Sequence, residues 1–139
     1  MEITELTSFT PSQIQDILDL MRQLDPEIPV TPAMVQAVLS SGSHFFAALD
    51  GERIAGCATL CVYASPTGLK GDIEDVVVSS ACRGMGLGRQ LLEAVIGYAR
   101  TLTPIDLHLT SRPSRVAANR LYQSLGFVQR ETNVYKMVL

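Results

Sequence analysis

Apolar residues recur along the chain with two periods. Residues 2–7 alternate weakly, which predicts a first strand. From Thr10 the interval lengthens. Ile14, Ile17, Leu18 and Met21 line one face of a helix. Its start is written in Thr10-Pro11-Ser12-Gln13. Thr10 can cap, Pro11 suits the first helical position, and Gln13 can reach back to close a capping box. The segment Leu24-Asp25-Pro26-Glu27-Ile28-Pro29-Val30 breaks the stripe. Thr31-Pro32 repeats the start signal, and a second helix carries Met34, Val35, Val38 and Leu39 as far as Ser41-Gly42. Both stripes are expected to pack in the core, with the broken segment between them available as a substrate-facing wall.

Period two then takes over. His44 to Leu49 predicts a strand, Asp50-Gly51 a two-residue hairpin turn, and Arg53 to Tyr63 a long returning strand, with Gly56 marking a bulge. Ser65-Pro66-Thr67-Gly68 reads as a loop. Asp72 to Val78 reads as a strand ending in a β-branched run. After it, Leu87, Leu91, Leu92, Val95, Ile96 and Ala99 return to helical spacing up to Arg100. Pro104 to Leu109 predicts a short strand. A helix starting near Pro113 carries Val116, Ala117, Leu121, Tyr122 and Leu125 and stops at Gly126. Phe127–Arg130 and Asn133–Val138 predict two last strands joined at Glu131-Thr132. The expected order is βααβββαβαββ in one domain over 1–139. This is an α+β (three-layer α/β) fold with a mixed, mostly antiparallel sheet of six to seven strands and helices on both faces.

Composition narrows the class of protein. A chain of 139 residues can bury a full core, and 47% apolar with 18% charged residues excludes disorder. A net charge of −3 argues against a broad nucleic-acid surface. The start Met1-Glu2-Ile3-Thr4 lacks a secretory pattern, and no apolar run reaches membrane-spanning length. A cytoplasmic location is therefore expected. Cys57, Cys61 and Cys82 are odd in number and have no metal-site spacing, so reduced thiols acting as small apolar residues are expected, and no metal.

Candidate chemistry concentrates between residues 72 and 92. A strand, Asp72-Ile73-Glu74-Asp75-Val76-Val77-Val78, leads through Ser79-Ser80-Ala81-Cys82 to Arg83-Gly84-Met85-Gly86-Leu87-Gly88 and the helix that follows. Glycines bring backbone N–H groups close to a ligand, and a helix N-terminus adds free donors and a positive dipole end. The combination suits a phosphate. The spacing G-x-G-x-G is a poor dinucleotide fingerprint, and no P-loop occurs. A glycine-rich helix start without a ligand is the bland alternative.

The loop resembles the acyl-CoA loop of the GCN5-related N-acetyltransferase family. The family pattern, Arg/Gln-x-x-Gly-x-Gly/Ala, is met by Arg83, Gly86 and Gly88. Ala118-Asn119-Arg120-Leu121-Tyr122-Gln123-Ser124-Leu125-Gly126-Phe127 resembles the family's later motif, at the expected distance and in a helix-to-strand setting. The two ordered motifs and the element order extend the likeness over essentially the whole chain. Ile73-Glu74-Asp75-Val76 is also similar, more locally, to glucosamine-6-phosphate N-acetyltransferases.

The resemblance implies acetyl-CoA as cosubstrate and an amine as acceptor. Arg83 and the N–H groups of Gly84, Met85, Gly86, Leu87, Gly88 and Arg89 would hold the pyrophosphate. Main-chain groups of Val76, Val77 and Val78 would hold the pantetheine arm, with Asn119 beside it. Tyr122 would stand at the sulfur as general acid. An amine with pKa near 10.4 must lose a proton before it attacks. Strand alternation places Asp72 and Glu74 on one face and Asp75 on the other. Glu74, then Asp72, is the expected base; binding a substrate cation is the competing role. Arg112, Arg115 and Tyr135 have surface or packing readings, and His44 and His108 fall on no motif. Direct transfer in a ternary complex is expected because no cysteine matches an acyl-carrier position. A non-catalytic acyl-CoA-binding or regulatory domain is the alternative. The acceptor, a small-molecule or protein or peptide amine, is not legible, and a homodimer through the final strands rests on family likeness alone.

Overall fold

A computed structural model describes residues 1–139. Its elements run β1 (Glu2–Leu6), α1 (Pro11–Leu24), α2 (Pro32–Ser40), β2 (His44–Asp50), β3 (Arg53–Ser65), β4 (Gly68–Val78), a 3-10 turn (Ser80–Cys82), α3 (Leu87–Arg100), β5 (Asp106–His108) and α4 (Val116–Ser124). The chain divides into two compact units, Met1–Leu109 and Thr110–Leu139.

The first unit holds a five-stranded mixed sheet in sequential order, β1-β2-β3-β4-β5. The first four strands are antiparallel, and β5 joins β4 in parallel. The β2 run Phe45-Phe46-Ala47-Ala48-Leu49 is apolar without interruption because both faces of this strand are covered. Phe45 and Ala47 join Ile17, Leu18, Val35, Cys57 and Val77 in one core beneath α1 and α2. Phe46 instead meets Tyr98 of α3, with ring centroids 6.0 Å apart. Leu91, Leu92 and Val95 of α3 are fully enclosed. Gly56 lies under this helix: a Cβ there would come within 3.3 Å of Leu91 Cδ1 and 3.1 Å of the Val77 carbonyl oxygen. The bulge expected near Gly56 is present, between Ala48 and Leu49 of β2 and the facing residues of β3.

Helix α1 is tied down by its own sequence. Thr10 accepts from Gln13 N–H at 3.1 Å, and Gln13 Oε1 accepts from Thr10 N–H at 2.9 Å, completing the box. Further along, buried Asp16 accepts from Arg53 Nη2 at 2.7 Å, from Arg53 Nε and from Ile54 N–H at 3.0 Å. These bonds fasten α1 to the start of β3.

Three expectations about the fold are corrected. The sheet has five strands rather than six or seven, and the observed order ends βαβα, without the final ββ. Phe127–Arg130 and Asn133–Val138 form no strand. Alternation supplies strand propensity, but a strand exists only where a second edge takes its N–H and C=O groups, and residues 127–139 have no ladder partner. Val128, Val134, Tyr135, Met137 and Val138 are each at least 72% exposed. The expected loop Ser65–Gly68 is instead a tight reversal, with Ser65 paired to Gly68 across a β3–β4 hairpin, so β4 begins at Gly68.

Candidate active site

β4 carries the first half of the site. β5 pairs only with Lys70, Gly71 and Asp72. From Ile73 to Val78, β4 has a ladder partner on the β3 side alone. The sheet therefore forks after Asp72, and from Ile73 to Val78 the side of β4 away from β3 has no strand beside it. This is the arrangement an extended amide-bearing ligand needs if it is to add itself to a strand edge.

Register fixes the acids. Asp72 lies opposite Cys61 and Glu74 opposite Thr59, so their side chains share one face of the sheet. Between Glu74 and Val77 the ladder slips: Thr59 pairs with Glu74 but Cys57 with Val77. The extra residue is absorbed at Asp75, whose φ of 52° is positive for a residue with a Cβ. Such a conformation costs roughly 1–2 kcal/mol and persists only where the surroundings impose it. The bulge takes Asp75 out of simple alternation. Its charge is felt at Glu74, whose carboxyl is held above its usual range by desolvation first, then by Asp75 and Asp72. Desolvation also raises Asp75. Glu74 and Asp75, with no cationic partner, thus retain protons more readily than ordinary surface carboxylates do. Asp75 was hidden from sequence reasoning, because a bulge is a property of register and not of composition.

The turn into the loop is fully bonded. Ser79 N–H donates to Ala55 O at 2.7 Å, and Cys82 N–H donates to Ser79 O at 2.9 Å. Gln23, on the last turn of α1, spans the turn from outside. Its Nε2 donates to Val78 O at 2.8 Å, and its Oε1 accepts from Ser80 N–H at 3.0 Å. Gln23 therefore holds the peptide groups on either side of Ser79, another role that no sequence signal announces.

The loop then opens. Gly84 and Gly86 have φ of 81° and 73°, and an added Cβ at either meets nothing within 4 Å. The glycines serve backbone conformation here, not tight packing. Gly86 is the N-cap of α3, and no side chain caps that helix. Leu87 is buried and anchors the first turn, while Arg83, Gly84, Met85 and Arg89 are exposed. Arg89 reaches Glu93 at 3.7 Å, a surface pair one helical turn on. An uncapped helix start behind positive-φ glycines is the structural requirement for a bound phosphate.

The second unit carries the later motif on α4. Asn119 Nδ2 donates to Arg112 O at 3.0 Å and fixes the turn before the helix. Tyr122 is buried and meets Phe127 edge-on, with centroids 6.3 Å apart. Burial pushes its hydroxyl above the ordinary range, with the charge of Arg115 acting the other way. Gly126, at φ 101°, ends the segment after α4, as its sequence position implied. The structure thus gathers Asp72, Glu74, Val76–Val78 and Arg83–Arg89 in the first unit, and Asn119 and Tyr122 in the second.

Cys57 is buried beneath the sheet and its thiol is pushed up to about 12, first by desolvation and then by Asp75. It behaves as a small apolar residue. No group of three or more His, Cys, Asp or Glu side chains is placed to hold a metal ion.

A forked sheet edge leading into an uncapped, glycine-rich helix start suits a ligand that joins a phosphate to an extended, amide-bearing arm. Comparison with known proteins makes the assignment specific. Residues 12–127 match the sequence model of the acetyltransferase (GNAT) family, and the chain belongs to that family. It is therefore an acetyl-CoA-dependent acyltransferase, as the motifs implied. It is 27% identical over 139 aligned residues to glucosamine 6-phosphate N-acetyltransferase 1 of rice, covering 89% of this chain and 82% of that protein. It is 33% identical over 88 residues to rat N-acetyltransferase 8B, of whose length it spans 40%. The fold superposes on a Trypanosoma brucei acetyltransferase with a TM-score of 0.77 at 25% identity, covering 99% of each chain.

Proposed function

We propose that this protein acetylates a primary amine by direct transfer in a ternary complex, and that residues 1–139 act as one N-acetyltransferase domain. The single observation that carries the reading is Glu74. It is a carboxyl with raised proton affinity, flanked by Asp72 and Asp75, on the strand that runs into the cofactor loop.

When bound, acetyl-CoA supplies an activated acetyl thioester. Arg83 and the loop N–H groups from Gly84 to Arg89 would hold its pyrophosphate, and main-chain groups of Val76, Val77 and Val78 would hold the pantetheine arm. By the family motif, Asn119 would bind that arm. Asp72 attracts the acceptor as a cation, and Glu74 takes the proton that frees the nitrogen lone pair. Transfer would form the N–C bond as the thioester C–S bond breaks, and by the family motif Tyr122 would supply the proton that the leaving sulfur needs. A hydroxyl with raised pKa holds that proton at neutral pH. Direct transfer is favoured over an acyl-cysteine route because no cysteine falls at the family's acyl-carrier position, and the Cys57 thiol is buried.

The acceptor belongs to the amines that family members take, whether an aminosugar, a polyamine, an antibiotic or a protein N-terminus. The exposed apolar segment Val134–Leu139 supports a homodimer built through the C-terminal residues. No helix is long and apolar enough to cross a membrane, and we place the protein in the cytoplasm. The test is CoA release from acetyl-CoA across a panel of glucosamine 6-phosphate, spermidine, sisomicin and a peptide with a free N-terminus. Turnover of one amine, abolished by Glu74→Gln and weakened by Tyr122→Phe, supports the reading. Binding of CoA without acetylation of any amine overturns it in favour of a CoA-binding domain.

A further inference from the structure

The sheet face that packs on α1 and α2 is covered at one end and open at the other. At the covered end Cys57 of β3 pairs with Val77 of β4, and both are buried against Ile17 and Leu18. Thr59, Cys61 and Tyr63 follow on the same face of β3, opposite Glu74, Asp72 and Lys70 of β4. All six retain solvent exposure, whereas Leu60, Gly71 and Ile73, on the other face, are buried. Past α1 and α2 the two strands thus form an open shelf that runs out to the reversal at Ser65–Gly68.

The shelf carries charges of both signs. Asp72 and Glu74 are the acids assigned above to the acceptor amine. Lys70 lies two and four residues from them on the same side, about 7 Å and about 13 Å along the strand. Asp106 is its register partner on β5, yet Lys70 takes part in no ion pair. Its Nζ donates instead to Ser65 Oγ at 2.5 Å and to Thr67 Oγ1 at 2.6 Å, and the two hydroxyls lie 3.1 Å apart. The donors can be counted. An ammonium has three hydrogens and spends two of them here. The two hydroxyls have one hydrogen each and spend one between them. Two donors and one positive charge remain, on groups that solvent reaches. That set matches two oxygens of an oxyanion.

We propose that Lys70, with Ser65 and Thr67, holds an anionic group of the acceptor, so that the amine acetylated also carries a phosphate or carboxylate roughly 7–13 Å from its nitrogen. The inference rests on the transferase reading above and names the substrate class of that site. Asp72 and Glu74 take the amine end, and Lys70 takes the anionic end. A polyamine has nothing to offer Lys70 and meets it charge against charge.

The test pairs acceptors that differ in the anion alone: glucosamine 6-phosphate against glucosamine, and free-N-terminus peptides with glutamate against glutamine at the second position. Spermidine is the anion-free control. Wild type, Lys70→Gln and Lys70→Arg are compared by steady-state kinetics, by calorimetry with CoA and with glucosamine 6-phosphate, and by thermal unfolding. In the wild type the anionic member of at least one pair should have a kcat/KM about tenfold or more above its neutral partner. Lys70→Gln should erase that preference through KM, with kcat, CoA affinity and turnover of the neutral partner unchanged. Lys70→Arg should keep most of it, because the charge stays. Equal turnover within each pair, or acetylation of spermidine alone, overturns the inference and leaves the transferase reading standing. A preference that survives Lys70→Gln overturns it too, as does an equal fall for anionic and neutral acceptors, which assigns Lys70 to the fold of the hairpin. Glucosamine 6-phosphate bound through Lys70 with no amine acetylated keeps the anion site and overturns the transferase reading. Neither binding nor acetylation overturns both.

Discussion

Asp16 and Glu74 are both carboxylates on packed elements, and they behave in opposite ways. Burial alone would raise Asp16, but hydrogen bonds from Arg53 and Ile54 N–H, with the Arg53 charge, outweigh it and hold the carboxyl below its usual range. Glu74 has desolvation and two neighbouring acids acting on it, and its carboxyl rises. The two helix starts differ in the same sense. Thr10 and Gln13 satisfy the first turn of α1 from within, whereas α3 begins at Gly86 with no side-chain cap. One region closes its polar groups on itself and contributes stability. The other leaves donors and acids open, and open polar groups are what a ligand can bind.

The sharpest way to break this contrast is to exchange the roles by mutation. Glu74→Gln is expected to lower kcat at least about a hundredfold while chemical unfolding and CoA affinity stay unchanged; a large loss of stability would place Glu74 with Asp16 instead. Asp16→Ala should do the reverse. Removing it strands the buried Ile54 N–H and the Arg53 anchor, at a cost of about 2 kcal/mol in urea denaturation, with kcat retained at temperatures where the variant is folded. Gln23→Met keeps the side-chain length but removes both bonds to the turn at Ser79. Its KM for acetyl-CoA should rise about fivefold with kcat little changed, and an equal fall in kcat would contradict a positioning role. Thr10→Ala should cost about 1 kcal/mol of stability and leave CoA affinity untouched.

Proton linkage gives the smallest and most specific comparison. The folded pKa of Asp16 lies below its unfolded value, so its stabilisation is present above 3.8 and is lost as pH falls through the lower folded value. Asp16→Asn should flatten that acid limb of the stability curve. Glu74 is raised, so as a base it becomes active only on a limb above 4.5. Asp75→Asn removes one of the charges that raise it and should move the limb of kcat/KM down toward 4.5. No movement would separate Asp75 from Glu74.

Much of this was legible in the residues. The capping box at Thr10, the Thr31 cap and the apolar stripes are local and appear where expected, and the β2–β3 reversal forms one residue on from Asp50-Gly51, with Asp50 paired to Arg53 across Gly51-Glu52. The loop from Arg83 to Gly88 was recognisable because its glycines answer to backbone geometry that few other residues can adopt. Illegible features all involve partners far along the chain. Gln23 meets Val78 and Ser80 across 55 and 57 positions. Asp75 departs from alternation because the β3 register slips opposite it. The last two expected strands fail for the same kind of reason, since Asn133–Val138 alternates correctly yet has no edge to join.

By itself the sequence determined the helices, the strands β1 to β5, the glycine-rich loop and the family, because each is encoded in short-range spacing and in side-chain type. Only the tertiary structure decided that β4 and β5 fork after Asp72, that the bulge at Asp75 brings a third acid to Glu74, and that Lys70 shares an open sheet face with Asp72 and Glu74. Those are consequences of strand register, and register is settled by hydrogen bonds between segments whose separation along the chain carries no local signal.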